Sequence, residues 1–179
     1  MAADECDINN LSIPKGDPGD PGASVTVGVS VLRNYTTDTG TSANTTETDL
    51  DSYTNTPSTT NALTSDGDEV VATAIVTTGA NANTKNIRLY FGGTLGVLFT
   101  TTANAKVMEI YMRVVRVSAT SQTIYYTVNL DGSSSSVGKT TASVVLTNNQ
   151  IIKVTGQNGS ASANDIVLNN FNIKMFKKA

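Results

Sequence analysis

The sequence predicts an all-β protein, an antiparallel β-sandwich or jelly roll that follows an N-terminal arm and a short collagen-like or polyproline-like segment. Apolar residues alternate with a period of two in several segments, turn-forming dipeptides separate these segments, and no segment has a helical period. The composition agrees with this. A chain of 179 residues with 15% charged residues and 14 glycines, and rich in Thr, Ser and Asn, is typical of strands joined by many turns.

Residues 1–15 are predicted to be an arm that becomes ordered against a partner. Its sizeable apolar side chains before Pro14 are Ile8, Leu11 and Ile13, which are too few to bury a core. A frayed terminus is the alternative. Cys6 is the single cysteine, so it forms no intrachain disulfide, and no metal-ligand spacing surrounds it.

Residues 16–24 have glycine at every third position, with proline in two of the three triplets. A collagen triple helix requires this spacing because only glycine fits next to the shared axis. Proline also restricts the unassembled strand to an extended conformation. The segment therefore predicts three parallel chains in register, and a plain polyproline-like spacer is the alternative.

Residues 25–45 are predicted to be a strand and a linker. Valines alternate with small residues at the start of this range, so a single strand would expose an apolar stripe. Three chains leaving a triple helix would bring three such stripes together. The predicted trimer contacts are Gly16, Pro18, Gly19, Pro21, Gly22, Val25, Val27, Val29 and Val31.

Residues 46–179 are predicted to form the β-domain, with seven or eight strands after a polar region that holds a short strand near residues 50–54. The predicted inward-facing sets are Ile87, Leu89 and Phe91; Met108, Ile110, Met112 and Val114; Ile124, Tyr126, Val128 and Leu130; Ala142, Val144 and Leu146; and Val167, Phe171, Ile173 and Met175. Residues 151–155 add a short strand. A change of phase at Val114–Val115 predicts a bulge or a crossing between sheets.

Turn signals separate these strands. They are Ser65–Asp68, Gly79–Thr84, Gly92–Gly93, Asp131–Gly132, Asn148–Asn149 and Asn158–Gly159. Gly92–Gly93 precedes no helix, so it is not predicted to bind phosphate.

The residue types argue against an enzyme, a metal site or a cofactor site. Histidine is absent, which removes Ser–His and Cys–His nucleophiles and the commonest metal ligand. Tryptophan is also absent, and a net charge of -3 does not favour nucleic acid. No apolar run approaches a membrane span, and acidic residues stand where a signal peptide needs basic ones, so we expect synthesis in a cytoplasm without membrane insertion.

Three local clusters have structural explanations that compete with functional ones. Asp66, Asp68 and Glu69 are too few for a calcium loop, and a hairpin turn explains them better than paired catalytic carboxylates. Tyr125 and Tyr126 are expected to point to opposite faces of one strand, one in the core and one on the surface. The lysines at positions 174, 177 and 178 are predicted to be a solvated strand end rather than a binding patch.

Three segments resemble the jelly-roll body of tailed-bacteriophage virion proteins, a class that includes head fibres, tail fibres and minor structural proteins. The resemblance covers residues 46–179. It is carried by LDSYTNTPSTTNALTSDGDEVVATAIVTTGANANTKNIRLYFGGT at residues 50–94, by the long strand at 106–119, and by SANDIVLNNFNIKMF at 162–176. Within these, SDGDE, ANANTK before RLYFGG, and ANDI before the last strand are the most distinctive.

The resemblance implies a homotrimer on the exterior of a virion that is assembled in the bacterial cytoplasm. The arm would bind the major capsid protein or another virion protein, and the β-domain would point outward, where host-surface glycans are candidate ligands. The lack of a long shaft favours a head fibre or decoration protein. A receptor-binding tail-fibre tip is the alternative, and a polysaccharide depolymerase is disfavoured because no pair of acids stands out.

Overall fold

The computed structural model describes residues 28–57 and 63–178, which form two antiparallel β-sheets packed face to face. The predicted all-β class is therefore confirmed. The predicted arm, collagen-like segment, Cys6, Val25 and Val27 lie outside the described residues. The strands are β1 (Val29–Tyr35), β2 (Thr39–Gly40), β3 (Thr48–Asn55), β4 (Glu69–Thr78), β5 (Lys85–Phe91), β6 (Thr94–Thr101), β7 (Val107–Ser118), β8 (Ser121–Leu130), β9 (Ser133–Ala142), β10 (Gln150–Asn158) and β11 (Ile166–Phe176).

The larger sheet has seven strands in the order β1-β11-β4-β7-β8-β9, and the two-residue β2 pairs with β11 beyond the end of β1. The smaller sheet has the order β3-β10-β5-β6. Early strands thus pair with late strands in both sheets, as in jelly rolls. Because β1 and β2 pair with β11, residues 29–35 and 39–40 belong to the larger sheet.

The core lies between the two sheets and is filled from strand positions that alternate in and out. Met108, Ile110 and Met112 of the larger sheet are fully buried, as are Ile87 and Leu89 of the smaller sheet. The alternation arises because successive side chains of a strand point to opposite faces. The inward sets predicted for β5, β7 and β8 all lie in or against this core.

Two strands differ from the sequence prediction. The sequence does not predict β6. β9 begins at Ser133, before the predicted stripe at 142–146, and its first four residues are exposed or half-exposed serines that give no apolar pattern. Val144 and Leu146 are buried as expected, but they lie in the segment between β9 and β10 rather than in a strand. They cover one end of the core without sheet hydrogen bonds.

Bulges correct two further predictions. In β11 the pairing with β4 shifts between Leu168 and Asn170, so Ile166 and Leu168 face the core and Val167 does not. The predicted phase change at 114–115 is wrong in position. The alternation of β7 continues to its end, and the register shift with β8 lies between Arg116 and Ser118.

The turns form two groups at opposite ends of the sandwich. At one end, called here the clasp end, the N–H of Lys177 donates to the carbonyl of Gly28 at 3.1 Å. The β8–β9 turn lies at the other end, where Asp131 and Gly132 both have positive φ values, 48° and 79°. This geometry is that of the tight hairpin predicted from the Asp-Gly pair.

Candidate interaction surfaces

The two outer faces of the sandwich differ in character. Among the described residues, most of the large exposed hydrophobic side chains lie on the outer face of the seven-stranded sheet, at Val29, Val31, Val107, Tyr111, Val117, Tyr125 and Val137. We call this set the valine–tyrosine face. Apolar groups concentrated on one exposed face are typical of a surface that meets a partner.

Val29 and Val31 lie at the edge of this face, on β1. They stand opposite Phe176 and Lys174 of β11 and are 53% and 61% exposed. Their partners show that both valines point away from the core. The role of these valines as trimer contacts stays a prediction.

Tyr125 lies on the outer face of β8, next to the edge strand β9, between two cations. Arg113 and Lys139 are its direct neighbours on β7 and β9, and their charged groups lie 5.8 and 5.7 Å from the ring centroid. Arg113 also forms an ion pair with Glu69. Tyr126 points the other way and packs against the core. The predicted division of the two tyrosines is confirmed.

The acidic cluster at residues 66–69 is a structural turn. Asp68 is 1% exposed, and its carboxylate accepts the N–H groups of Thr64, Ser65 and Lys178 and an ion pair from Lys177 at 3.0 Å. Burial raises the pKa of Asp68, but the hydrogen bonds from these groups outweigh it and hold the pKa below its ordinary value. Lys177 therefore belongs to the hydrogen-bonded turn around Asp68 and is not part of a solvated tail.

The opposite end of the sandwich contains a second buried polar cluster. Lys85 is fully buried, and its ammonium donates to Asn81 O, Asn81 Oδ1 and Asn83 O at 2.9, 3.0 and 3.0 Å. Both asparagine side chains in turn donate to Asp165. Burial raises the pKa of Asp165, while the hydrogen bonds from Asn83, Asn81 and Ser162 lower it further than burial raises it. The ANANTK and ANDI segments thus meet in space, as a structural cluster.

The outer face of the four-stranded sheet is polar, and sequence reasoning did not find it. Two hydrogen-bonded groups meet there, joined by the contact of the Lys153 ammonium with the Tyr90 ring, and together we call them the polar plate. Its members are Glu47, Asp49, Arg88, Tyr90, Lys153, Thr155 and Gln157. Its members come from three strands and one loop that are far apart in the sequence. No local pattern reveals such a group before the strand order is known.

Two kinds of site were sought in the described ranges 28–57 and 63–178. No group of three or more His, Cys, Asp or Glu side chains there is placed to hold a metal ion. No helix in these ranges is long and apolar enough to cross a membrane.

Comparison with known proteins gives only distant structural likeness. No protein-family model and no curated protein matches the chain. Among solved structures, the CBM2 module of the evolved Dit of Lactobacillus casei BL23 phage J-1 is similar to it at 10% identity, with a TM-score of 0.37, over 72% of this chain and 69% of that one. So remote a likeness carries neither a ligand nor a position in a particle over to this chain.

Proposed function

We propose that this chain is a non-enzymatic structural protein of a tailed-bacteriophage virion, a homotrimer attached to the capsid with its β-sandwich displayed outward. Residues 1–15 would bind the major capsid protein or another virion protein. Residues 16–24 would place three chains in parallel. The sandwich would then be the exposed knob of a head fibre or decoration protein.

The observation that carries this proposal is the position of Val29 and Val31. They lie at the start of β1, the first strand among the described residues, and are more than half exposed on the outer face of the sheet. Such a stripe is costly in water, at about 25 cal/mol per Å² of apolar surface, unless another surface covers it. Copies of the same stripe, brought together by the preceding triplets, are the partner that the sequence itself supplies.

The trimer is tested by the solution mass of the full chain, measured by light scattering. We expect three times the chain mass of 18.7 kDa. A mass of one chain would contradict the proposal. A Gly19→Leu variant separates two sources of stability, and we expect it to stay trimeric, because three triplets are too short to offset their own ordering entropy.

Attachment to the head is tested by antibody labelling of intact particles against residues 1–15 and against the sandwich. We expect label on the capsid, with the sandwich accessible and the arm covered. Label at the tail tip would instead favour a receptor-binding fibre tip. Linking three knobs raises avidity by about 10²–10⁴ over one weak contact, so either location suits multivalent adhesion to host-surface glycans.

A further inference from the structure

We propose that the polar plate, on the outer face of the four-stranded sheet, is a binding site for a neutral, hydroxyl-rich glycan. This inference deepens the proposed function by placing a ligand on the displayed domain. It rests on the arrangement of side chains on β3, β10, β5 and β6.

The polar plate is organised around the Glu47 carboxylate. Its Oε1 accepts the hydroxyls of Tyr90 at 2.9 Å and Thr155 at 2.7 Å, and its Oε2 lies 3.3 Å from Arg88 Nη1. Arg88 also donates to Gln157 at 2.8 Å. These bonds fix the side chains before any ligand arrives, which lowers the entropic cost of binding.

Free hydrogen-bonding capacity remains at the rim of the polar plate. Lys153 Nζ donates to Asp49 Oδ1 at 2.7 Å and lies 5.3 Å from the centroid of the Tyr90 ring. An ammonium has three donors and a carboxylate has about four acceptor positions, so both groups can bind a further hydroxyl. The Asp49 side chain is 59% exposed, which leaves it open to a ligand.

The charges of the polar plate balance. Glu47 and Asp49 are matched by Arg88 and Lys153, and each carboxylate already faces a cation. A polyanion would gain no net attraction here, whereas vicinal hydroxyls both donate and accept hydrogen bonds. The Lys153–Asp49 pair is the more exposed of the two, and such pairs add little to stability, so stability alone does not explain this pair.

An apolar strip runs beside the polar groups. Leu95 and Leu98 of β6 are 40% and 49% exposed, and they pair with Tyr90 and Arg88 of β5. A sugar ring has an apolar C–H face and a polar rim of hydroxyls. The apolar strip can pack against the C–H face of a sugar ring while the polar plate hydrogen-bonds the hydroxyls at its rim. In ligand sites, apolar groups contact the apolar part of the ligand and a few convergent polar groups fix its orientation.

Binding is tested by native electrophoresis of the full chain through gels that contain dextran, yeast mannan or galactan, with polygalacturonic acid as an anionic comparison. We expect retardation in at least one of the neutral gels. In that gel, Lys153→Met and Asp49→Asn should each weaken binding by about tenfold or more, the effect of losing a hydrogen bond to a charged group.

Lys106→Met is the matched control, because Lys106 forms a surface ion pair with Asp131, 2.5 Å away, outside the four-stranded sheet. It should bind as the unaltered chain does. The proposal is overturned if no neutral gel retards the protein, if only polygalacturonic acid does, or if Lys106→Met weakens binding equally. It is also overturned if Lys153→Met lowers the solution mass, since the polar plate would then be a contact between copies of the chain.

These outcomes are separate from those of the proposed function. If the chain is a trimer on the capsid but no neutral glycan retards it, only the glycan-site proposal is refuted. If the chain is a monomer and a neutral glycan retards it, the glycan-site proposal stands and the trimer is refuted.

Discussion

Lys177 Nζ lies 3.0 Å from Oδ2 of Asp68, and this ion pair ties the end of the last strand to the turn before β4. The carboxylate is buried while the lysine side chain is one-quarter exposed. Three backbone N–H groups complete the coordination of the carboxylate. The turn therefore depends on an ionised aspartate.

Asp68→Asn should lower the free energy of unfolding by about 1–3 kcal/mol at neutral pH, because hydrogen bonds to a charged group are lost in a buried site. The pKa of Asp68 is lower in the folded state. Its contribution is therefore present above the unfolded pKa of about 4 and is lost as the pH falls through the folded value. Urea unfolding at several pH values should show the difference between variant and wild type shrinking below about pH 4.

Asp66→Asn is the control for this experiment. Its side chain is 64% exposed and makes a surface ion pair with Arg116. If Asp66→Asn lowers the free energy of unfolding as much as Asp68→Asn does, the effect does not come from the buried position of Asp68.

Replacing Val29 and Val31 together by aspartate should convert the proposed trimer to monomers. Charges within a covered apolar stripe are strongly unfavourable, while in a monomer both side chains are exposed and the fold is retained. Light scattering measures the mass, and circular dichroism checks the fold. Leu98→Asp, on the other sheet, should stay trimeric, and an unchanged mass for the valine double variant would place the subunit contact elsewhere.

Lys85→Met should lower the free energy of unfolding by about 2–4 kcal/mol. The methionine fills a similar volume, but it removes the donor to the half-buried carbonyl oxygens of Asn81 and Asn83, and it leaves Asn81 Oδ1 with only the N–H of Asn83. Denaturant unfolding measures the loss. Lys106→Met removes an exposed lysine and should cost no more than about 1 kcal/mol. Equal losses would mean that Lys85 has no special role in this cluster.

Gly138→Ala should lower the free energy of unfolding by about 1–3 kcal/mol and shift the ring of Tyr126. A Cβ at this position would overlap the end of that ring, which packs on the core. Thermal unfolding measures the effect. Gly28→Ala is the control, since a Cβ there meets nothing within 4 Å. A neutral Gly138→Ala would show that the Tyr126 ring has room to move.

The sequence predicts those strands in which buried and exposed residues alternate strictly. It does not predict strands in which most side chains are exposed to solvent. Ile87 to Phe91 and Met108 to Val114 are found as expected because one face of each is in the core. Ser133–Ser136 was missed because an edge strand needs no apolar pattern, and Val167 was misplaced because a bulge changes the phase without changing the residue types.

The surfaces depend on information that no local pattern holds. Val29 and Val31 are recognisable as a stripe from their spacing alone. Glu47 and Tyr90 meet only because β10 lies between β3 and β5, an arrangement set by non-consecutive pairing. The sequence therefore predicts the valine stripe but not the sheet edge that it joins, and it does not predict the polar face of the smaller sheet.

The hydrogen bond between Gly28 and Lys177 has a practical consequence for display of foreign peptides. It places the first and last described residues of the chain at the clasp end, so a cargo fused after residue 178 would emerge close to Gly28. The Asp131–Gly132 hairpin lies at the far end and is exposed. Exposed tight turns tolerate insertion well, so a peptide inserted there should be presented at the end of the sandwich opposite Gly28 and Lys177.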